Sequence, residues 1–166
     1  MGVGSYMAVL SDNDIQRFII EKKISIEPFE PTKLTPNGYD LTIGEIAIPK
    51  IGKHIVEGKV KIPSLTWFAI STEEYVKLSP DVSAQLWIRT SYARRGIMSS
   101  FGKIDAGFEG NLTLSSFNAS SDQVELEIGK TFAQIVFELL LSNAMLPYEK
   151  RSGNYMRQKG ITIPKN

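Results

Sequence analysis

The sequence predicts a mostly β domain, a distorted β-barrel or jelly-roll with one N-terminal helix and a C-terminal arm. Three observations lead there: many short β-prone segments, Gly and Pro turns between them, and a single stretch with helical spacing. No internal repeat or linker divides the 166 residues, a length suited to one core.

Residues 1–9 read as a flexible N-terminal extension, within which Met7 offers an alternative start. Ser11 then begins a helix, with Asp14 at the capping-box position. Ile15, Phe18 and Ile19 recur at i, i+3 and i+4, giving one apolar face through about Lys22. Tyr39 to Gly44 is a short strand ended by Gly, and Leu65–Ile70 and Ala84–Arg89 are two more, with a turn at Ser79-Pro80-Asp81. Ser71-Thr72-Glu73-Glu74 imitates a capping box, but Val76 and Leu78 alternate after it, so that segment is also read as strand. Leu112–Asn118 and Gln123–Ile128 show period-two alternation, joined as a hairpin by Ala119–Asp122. Phe132–Leu139 is apolar enough to be buried on both faces. The β domain thus runs over 10–150. The polar, Gly-punctuated segment 151–166 forms the arm, whose pattern favours disorder unless it orders over a ligand.

Composition removes several kinds of chemistry. The chain has no cysteine and one histidine, His54. Disulfides and thiolate metal sites are excluded, and zinc-activated deamination lacks its ligands. A Ser-His-Asp triad would need His54, which lies in Gly52-Lys53-His54-Ile55 without a nucleophile motif and reads as an exposed loop residue. A formal charge of +1 is far from the basic excess of a nucleic-acid binder. No apolar run approaches the ~18 residues of a membrane span, and no leader-like segment opens the sequence, so a cytoplasmic location is expected.

Two motifs concentrate functional groups. Arg89-Thr90-Ser91-Tyr92-Ala93-Arg94-Arg95-Gly96 packs guanidiniums and hydroxyls together, a combination suited to phosphate oxygens. Gly102-Lys103-Ile104-Asp105-Ala106-Gly107-Phe108-Glu109-Gly110 follows, with a carboxylate in a Gly-flanked turn that can orient or deprotonate a water. Together they suggest a site that binds a polyphosphate and directs water at it.

These residues resemble the dCTP deaminase family. Leu10–Ile15, Ser25–Phe29 and Gly38–Gly44 are similar to its N-terminal third, and Arg89–Gly96 to its Arg-Ser-Ser-Leu-Ala-Arg motif. Ile104–Gly110 is similar to its Ile-Asp-Pro-Gly-Phe-x-Gly turn, Gly129–Phe137 to a Gly-x-x-x-x-Gln-[Ile/Leu]-x-Phe strand, and Tyr155–Gly160 to its Tyr-x-x-Gln-x-Gly arm. The superfamily includes the trimeric dUTPases. The resemblance implies a dUTPase-like fold, a homotrimer with sites at subunit interfaces, and a deoxynucleoside triphosphate bound with Mg²⁺.

Which reaction follows is a separate question. Family deaminases carry a Glu in the strand after the Asp turn, in a pattern like Gly-x-Ile-x-Leu-Glu-Phe-x-Asn, to shuttle protons at the pyrimidine. Here Gly110–Asn118 places Ser115 at that position, as the dUTPases commonly do. Glu109, Glu125 and Glu127 are the nearest carboxylates in sequence, and none is an obvious substitute. The resemblance therefore implies a dUTP diphosphatase in which Asp105 orients water toward the α-phosphorus. A dCTP deaminase, with or without a second diphosphatase activity, is the rival reading, and a catalytically idle nucleotide-binding or protein-binding trimer is a third. By the same carry-over, Arg89, Thr90, Ser91 and Arg94 contact phosphates, Thr90 departing from the usual Ser, and Gln134 donates to them. Phe108 lies against the deoxyribose, and Tyr155, Gln158 and Lys159 close over the triphosphate. Asp40 stands near hydrated Mg²⁺ or serves as a structural hydrogen-bonding group. The arm resembles that of the deaminases, which points to the archaeal-type dUTPase branch of the family.

Overall fold

The computed structural model describes residues 8–163. In chain order its elements are β1 (Ala8–Val9), α1 (Asp12–Ile20), β2 (Ile24–Glu27), β3 (Leu34–Thr35), β4 (Gly38–Ile48), β5 (Lys53–Ile55), β6 (Lys59–Ile62), β7 (Thr66–Leu78) and β8 (Val82–Ile88). They continue as α2 (Thr90–Ala93), β9 (Ile97–Ser99), β10 (Lys103–Ile104), β11 (Glu109–Asn118), β12 (Val124–Glu127), β13 (Thr131–Leu139) and α3 (Tyr148–Arg151). The fold is mostly β, with the helix α1 near its start.

Both halves of the expected capping box form: Ser11 Oγ accepts from the Asp14 N–H at 3.2 Å, and Asp14 Oδ2 accepts from the Ser11 N–H at 3.3 Å. Ile15 and Phe18 are buried, so the apolar face docks as the spacing predicts. The helix stops at Ile20 and not at Lys22, because Lys22 turns left-handed at φ 59°.

The main sheet is antiparallel, with strands in the order β10-β8-β13-β4-β7-β11-β9 and short strands added along it. It curls around a core that includes Tyr39, Leu41, Ile43, Phe68, Ile70, Phe132 and Phe137, all fully buried. The strand β13 lies centrally, between β8 and β4, which accounts for its apolar character. β7 runs unbroken through Ser71–Glu74. Glu74 is fully buried there, accepting from the Thr42 N–H at 2.8 Å and Thr42 Oγ1 at 2.7 Å, with Lys33 Nζ at 3.2 Å. Burial alone would lower the Lys33 pKa; hydrogen bonding to Glu30 and the Glu74 charge outweigh it and raise the value above the usual one.

Three further expectations are corrected. Gly44 does not end its strand: β4 continues to Ile48, with a bulge against β7 at this point. A Cβ on Gly44 would lie 3.0 Å from the Glu73 backbone nitrogen, so glycine marks close backbone approach and not a stop. The β11–β12 hairpin does not form, since β12 pairs with β6 instead. Asn118 redirects the chain by donating to the carbonyls of Ile62, Pro63 and Asp122 while accepting from Ser120. His54 is exposed but belongs to β5, its ring 3.0 Å from Glu45 Oε2. Ala8 and Val9 pair with β13, and the arm bonds to β11 as far as Thr162. Residues 1–7 and 164–166 of those segments lie outside the described residues.

Candidate functional site

The Asp105 turn is built by its glycine. Phe108 N–H donates to the Asp105 carbonyl at 3.1 Å, closing a four-residue turn whose third position, Gly107, has φ 83°. A Cβ at Gly107 would also meet Pro147 Cβ at 2.7 Å. The turn is therefore rigid at both ends, and it leaves Asp105 exposed while burying Phe108 against Tyr148, ring centroids 5.7 Å apart.

Asp105 and Phe108 line a cavity of about 430 Å³ with Trp67, Thr113, Ser115, Tyr148, Tyr155 and Gln158. Part of its wall is the outward face of β11, where Thr113 and Ser115 alternate with buried Leu112, Leu114 and Ser116. Ser115 sits opposite Ala69 of β7, and Trp67 is its diagonal neighbour; the indole N–H donates to Ser115 Oγ at 2.6 Å. Asp105 is the one carboxylate among the residues lining this cavity. Glu109 lies outside it, bound to Tyr75 and Lys77, which together overcome burial and hold its pKa below the usual carboxylate value.

The arm borders the same cavity. Arg157 N–H donates to the Glu109 carbonyl at 2.7 Å, Asn111 N–H to the Gln158 carbonyl at 3.0 Å, and Thr162 N–H to Thr113 Oγ1 at 3.0 Å. Gln158 Nε2 donates to the Asn111 carbonyl at 2.6 Å, so its amide is spent on the β11 backbone. Lys159 is exposed and does not line the cavity.

The phosphate-type residues gather elsewhere. Asp40, Arg89, Thr90, Ser91 and Gln134 line a second pocket together with Trp87 and Ile88. Arg89 bonds to Thr131 Oγ1, and its Nε is 3.4 Å from Asp40 Oδ2. Gln134 Nε2 donates to Thr35 Oγ1 at 2.9 Å. Arg94, at the end of α2, is exposed and outside the pocket lining. The two pockets share no lining residue. Ile104, next to Asp105, pairs with Ala84. Arg89 is five residues further along from Ala84, roughly 16 Å at the rise of an extended strand. One chain thus carries two candidate half-sites, one with the acid and an aromatic-lined cavity, the other with the Arg89 guanidinium and neighbouring hydroxyls.

Magnesium, implied by the resemblance, would meet Asp40 in the second half-site. Burial raises the Asp40 pKa, with Arg89 and Gln134 pulling against it. Among the described residues no three acidic or histidine side chains gather, so no all-protein cage exists. A single carboxylate beside hydroxyls fits an ion that keeps its waters and takes most oxygens from a bound triphosphate.

A family model described as dCTP deaminase-like matches residues 53–140. The chain belongs to that family. Among its relatives, the dCTP deaminase of Pyrococcus horikoshii is 46% identical over 149 residues, covering 88% of this chain and 93% of the relative. A probable deoxyuridine 5'-triphosphate nucleotidohydrolase of Sulfolobus islandicus rod-shaped virus 1 is 34% identical over 160 residues, covering 95% and 98%. Two solved structures share the fold. The 2'-deoxycytidine 5'-triphosphate deaminase of Agrobacterium tumefaciens aligns with a TM-score of 0.67 at 19% identity over 80% of this chain, which spans only 48% of that one. A mutant dUTPase from phage phi11 of S. aureus, with a structural Mg(II) ion, aligns with a TM-score of 0.55 at 17% identity, covering 74% of this chain and 94% of that one. This dCTP deaminase-like chain therefore stands among enzymes that act on pyrimidine deoxynucleotides.

Sequence reasoning singled out Asp105, Phe108, Ser115, Tyr155 and Gln158, which meet in the first cavity, and five residues of the second pocket. It missed Trp67, Thr113 and Tyr148. Trp67 joins Ser115 only through the β7–β11 register, which no periodicity encodes.

Proposed function

We propose that the chain is a dUTP diphosphatase, converting dUTP and water to dUMP and pyrophosphate. The observation that carries this is the composition of the Asp105 cavity. It offers one carboxylate, at the turn, and a hydroxyl tied to an indole where a deaminase needs a proton-carrying acid. The base and sugar occupy this cavity, with Phe108 against the deoxyribose where a 2'-hydroxyl would crowd. Arg89, Thr90, Ser91 and Arg94 of a neighbouring subunit grip the phosphates, with Gln134 beside them. The separation of the two half-sites within one chain supports a homotrimer with sites at its interfaces.

In the reaction, Asp105 orients a water in line with the α-phosphorus and accepts its proton as the new P–O bond forms. The bond from that phosphorus to the bridging oxygen breaks, and the pair of electrons leaves with pyrophosphate. The guanidiniums neutralise charge on the departing oxygens, and the arm, through Tyr155 and Gln158, excludes bulk water. Mg²⁺, when bound with Asp40 nearby, supplies further charge neutralisation on the triphosphate.

Deamination of dCTP is the second reading, favoured by the name of the 46% identical Pyrococcus horikoshii relative. Assays with dUTP and dCTP separately, each with Mg²⁺, decide between them. Pyrophosphate and dUMP from dUTP are expected; ammonia from dCTP would overturn the proposal. In Asp105→Asn, kcat falls by about 10²- to 10⁴-fold, the usual contribution of a positioned base, while the affinity for a non-hydrolysable dUTP analogue changes little.

A further inference from the structure

Resting on the proposed placement of the base, we infer that Trp67 is a positioning residue that sets the Ser115 hydroxyl to read a ring carbonyl and to disfavour an exocyclic amine. Trp67 thereby serves discrimination between uracil and cytosine nucleotides.

The argument is one of donors and acceptors. An indole N–H only donates, and it donates to Ser115 Oγ at 2.6 Å. A serine hydroxyl carries one proton and two lone pairs. With one lone pair taken, and no other partner for Ser115 among the described residues, its proton faces the cavity. Donation into the oxygen polarises the O–H, strengthening it as a donor and weakening it as an acceptor. Uracil presents a carbonyl oxygen at the position where cytosine presents an amine. The carbonyl accepts the directed proton. The amine would have to use the weakened lone pair and leave the serine proton facing another hydrogen.

The geometry holds this arrangement in place. Ala69, opposite Ser115 on β7, is too small to compete for the hydroxyl. Trp67 is opposite Phe117 one pair further along, so the indole reaches Ser115 diagonally across the sheet. Asp105, the sole cavity carboxylate, belongs to the turn before β11 and not to this strand pair. Lys103 also lines the cavity, but its Nζ donates to Glu138 Oε2 at 3.2 Å, outside this strand pair.

The test is the ratio of dissociation constants for α,β-imido-dUTP and α,β-imido-dCTP with Mg²⁺, measured calorimetrically on the full-length assembly. Wild type should bind the uracil compound more tightly. Trp67→Phe keeps a ring but removes the N–H, and should narrow the ratio about five- to tenfold, the effect of losing one net hydrogen bond. Ser115→Ala should narrow it by at least as much, and the double variant should add little to Ser115→Ala. A merely structural role for Trp67 would weaken both compounds equally and leave the ratio unmoved, which would overturn the inference. So would a wild-type ratio near unity. Because binding is read without turnover, ammonia release in the dCTP assay would remove the proposed reaction while the ratio still judged the role of Trp67.

Discussion

Mixing two inactive variants tests the assembly of the site. Asp105→Asn removes the acid from the first half-site, and Arg89→Ala removes a guanidinium from the second. The two residues line pockets with no residue in common, and Ala84, which faces Ile104 beside Asp105, is five residues from Arg89, roughly 16 Å of extended chain. In a trimer whose sites join Asp105 of one chain to Arg89 of its neighbour, random one-to-one mixing leaves both residues intact at about one quarter of the interfaces. Trimers purified as mixtures each keep one intact interface in three, so pyrophosphate release from dUTP should recover to about a third of wild type, far above either parent, if each parent retains about 1% or less. Co-expression with two different affinity tags, and purification through both, ensures that the mixed species is assayed. Mixed trimers showing no more activity than the parents would refute the reasoning, because a site drawn from one chain always lacks one of the two residues.

Three further outcomes follow from other parts of the structure. Gly107→Val forces a β-branched residue to φ 83° and drives Cβ toward Pro147, so stability should fall by at least 1–2 kcal/mol in urea unfolding, together with lost turnover as Asp105 shifts. Lys33→Met leaves Glu74, fully buried, without its cation, and should lower stability by about 3–5 kcal/mol, read as a drop in thermal midpoint. Asp81 is held below the ordinary carboxylate value of 3.8: burial opposes this, but hydrogen bonds from Ser79 and Lys23 outweigh it. Because the folded pKa is the lower one, its stabilisation is present above the unfolded value and is lost as pH falls through the folded value; Asp81→Asn should flatten the acid limb of thermal midpoint against pH.

Much of this was legible in the residues because the signals were local. The Ser11–Asp14 cap, the alternation of Leu112 to Asn118 and the Gly107 turn each depend on chain neighbours. Pairing was not legible. The loop after β11 looked like a hairpin because Val124, Leu126 and Ile128 form one apolar face, yet that face is satisfied equally well by β6, and the Asn118 bonds decide the route. Gly44 read as punctuation for the same reason: its need is set by Glu73, which lies far along the chain. The candidate site divides likewise. Asp105 and the Arg89 motif could be named from their spacing, whereas Trp67 emerged only when β7 was laid beside β11.

The tail's bonds to β11 carry a consequence for the protein's solubility. Between Glu109 and Asn111 they occupy main-chain groups on the flank of that strand away from β7, where β9 reaches only Ser116 to Asn118. A naked flank of this kind invites stray β-pairing between molecules. Proteolytic removal of the tail would uncover that border, so a clipped chain is expected to self-associate more readily than the intact one, as light scattering would show.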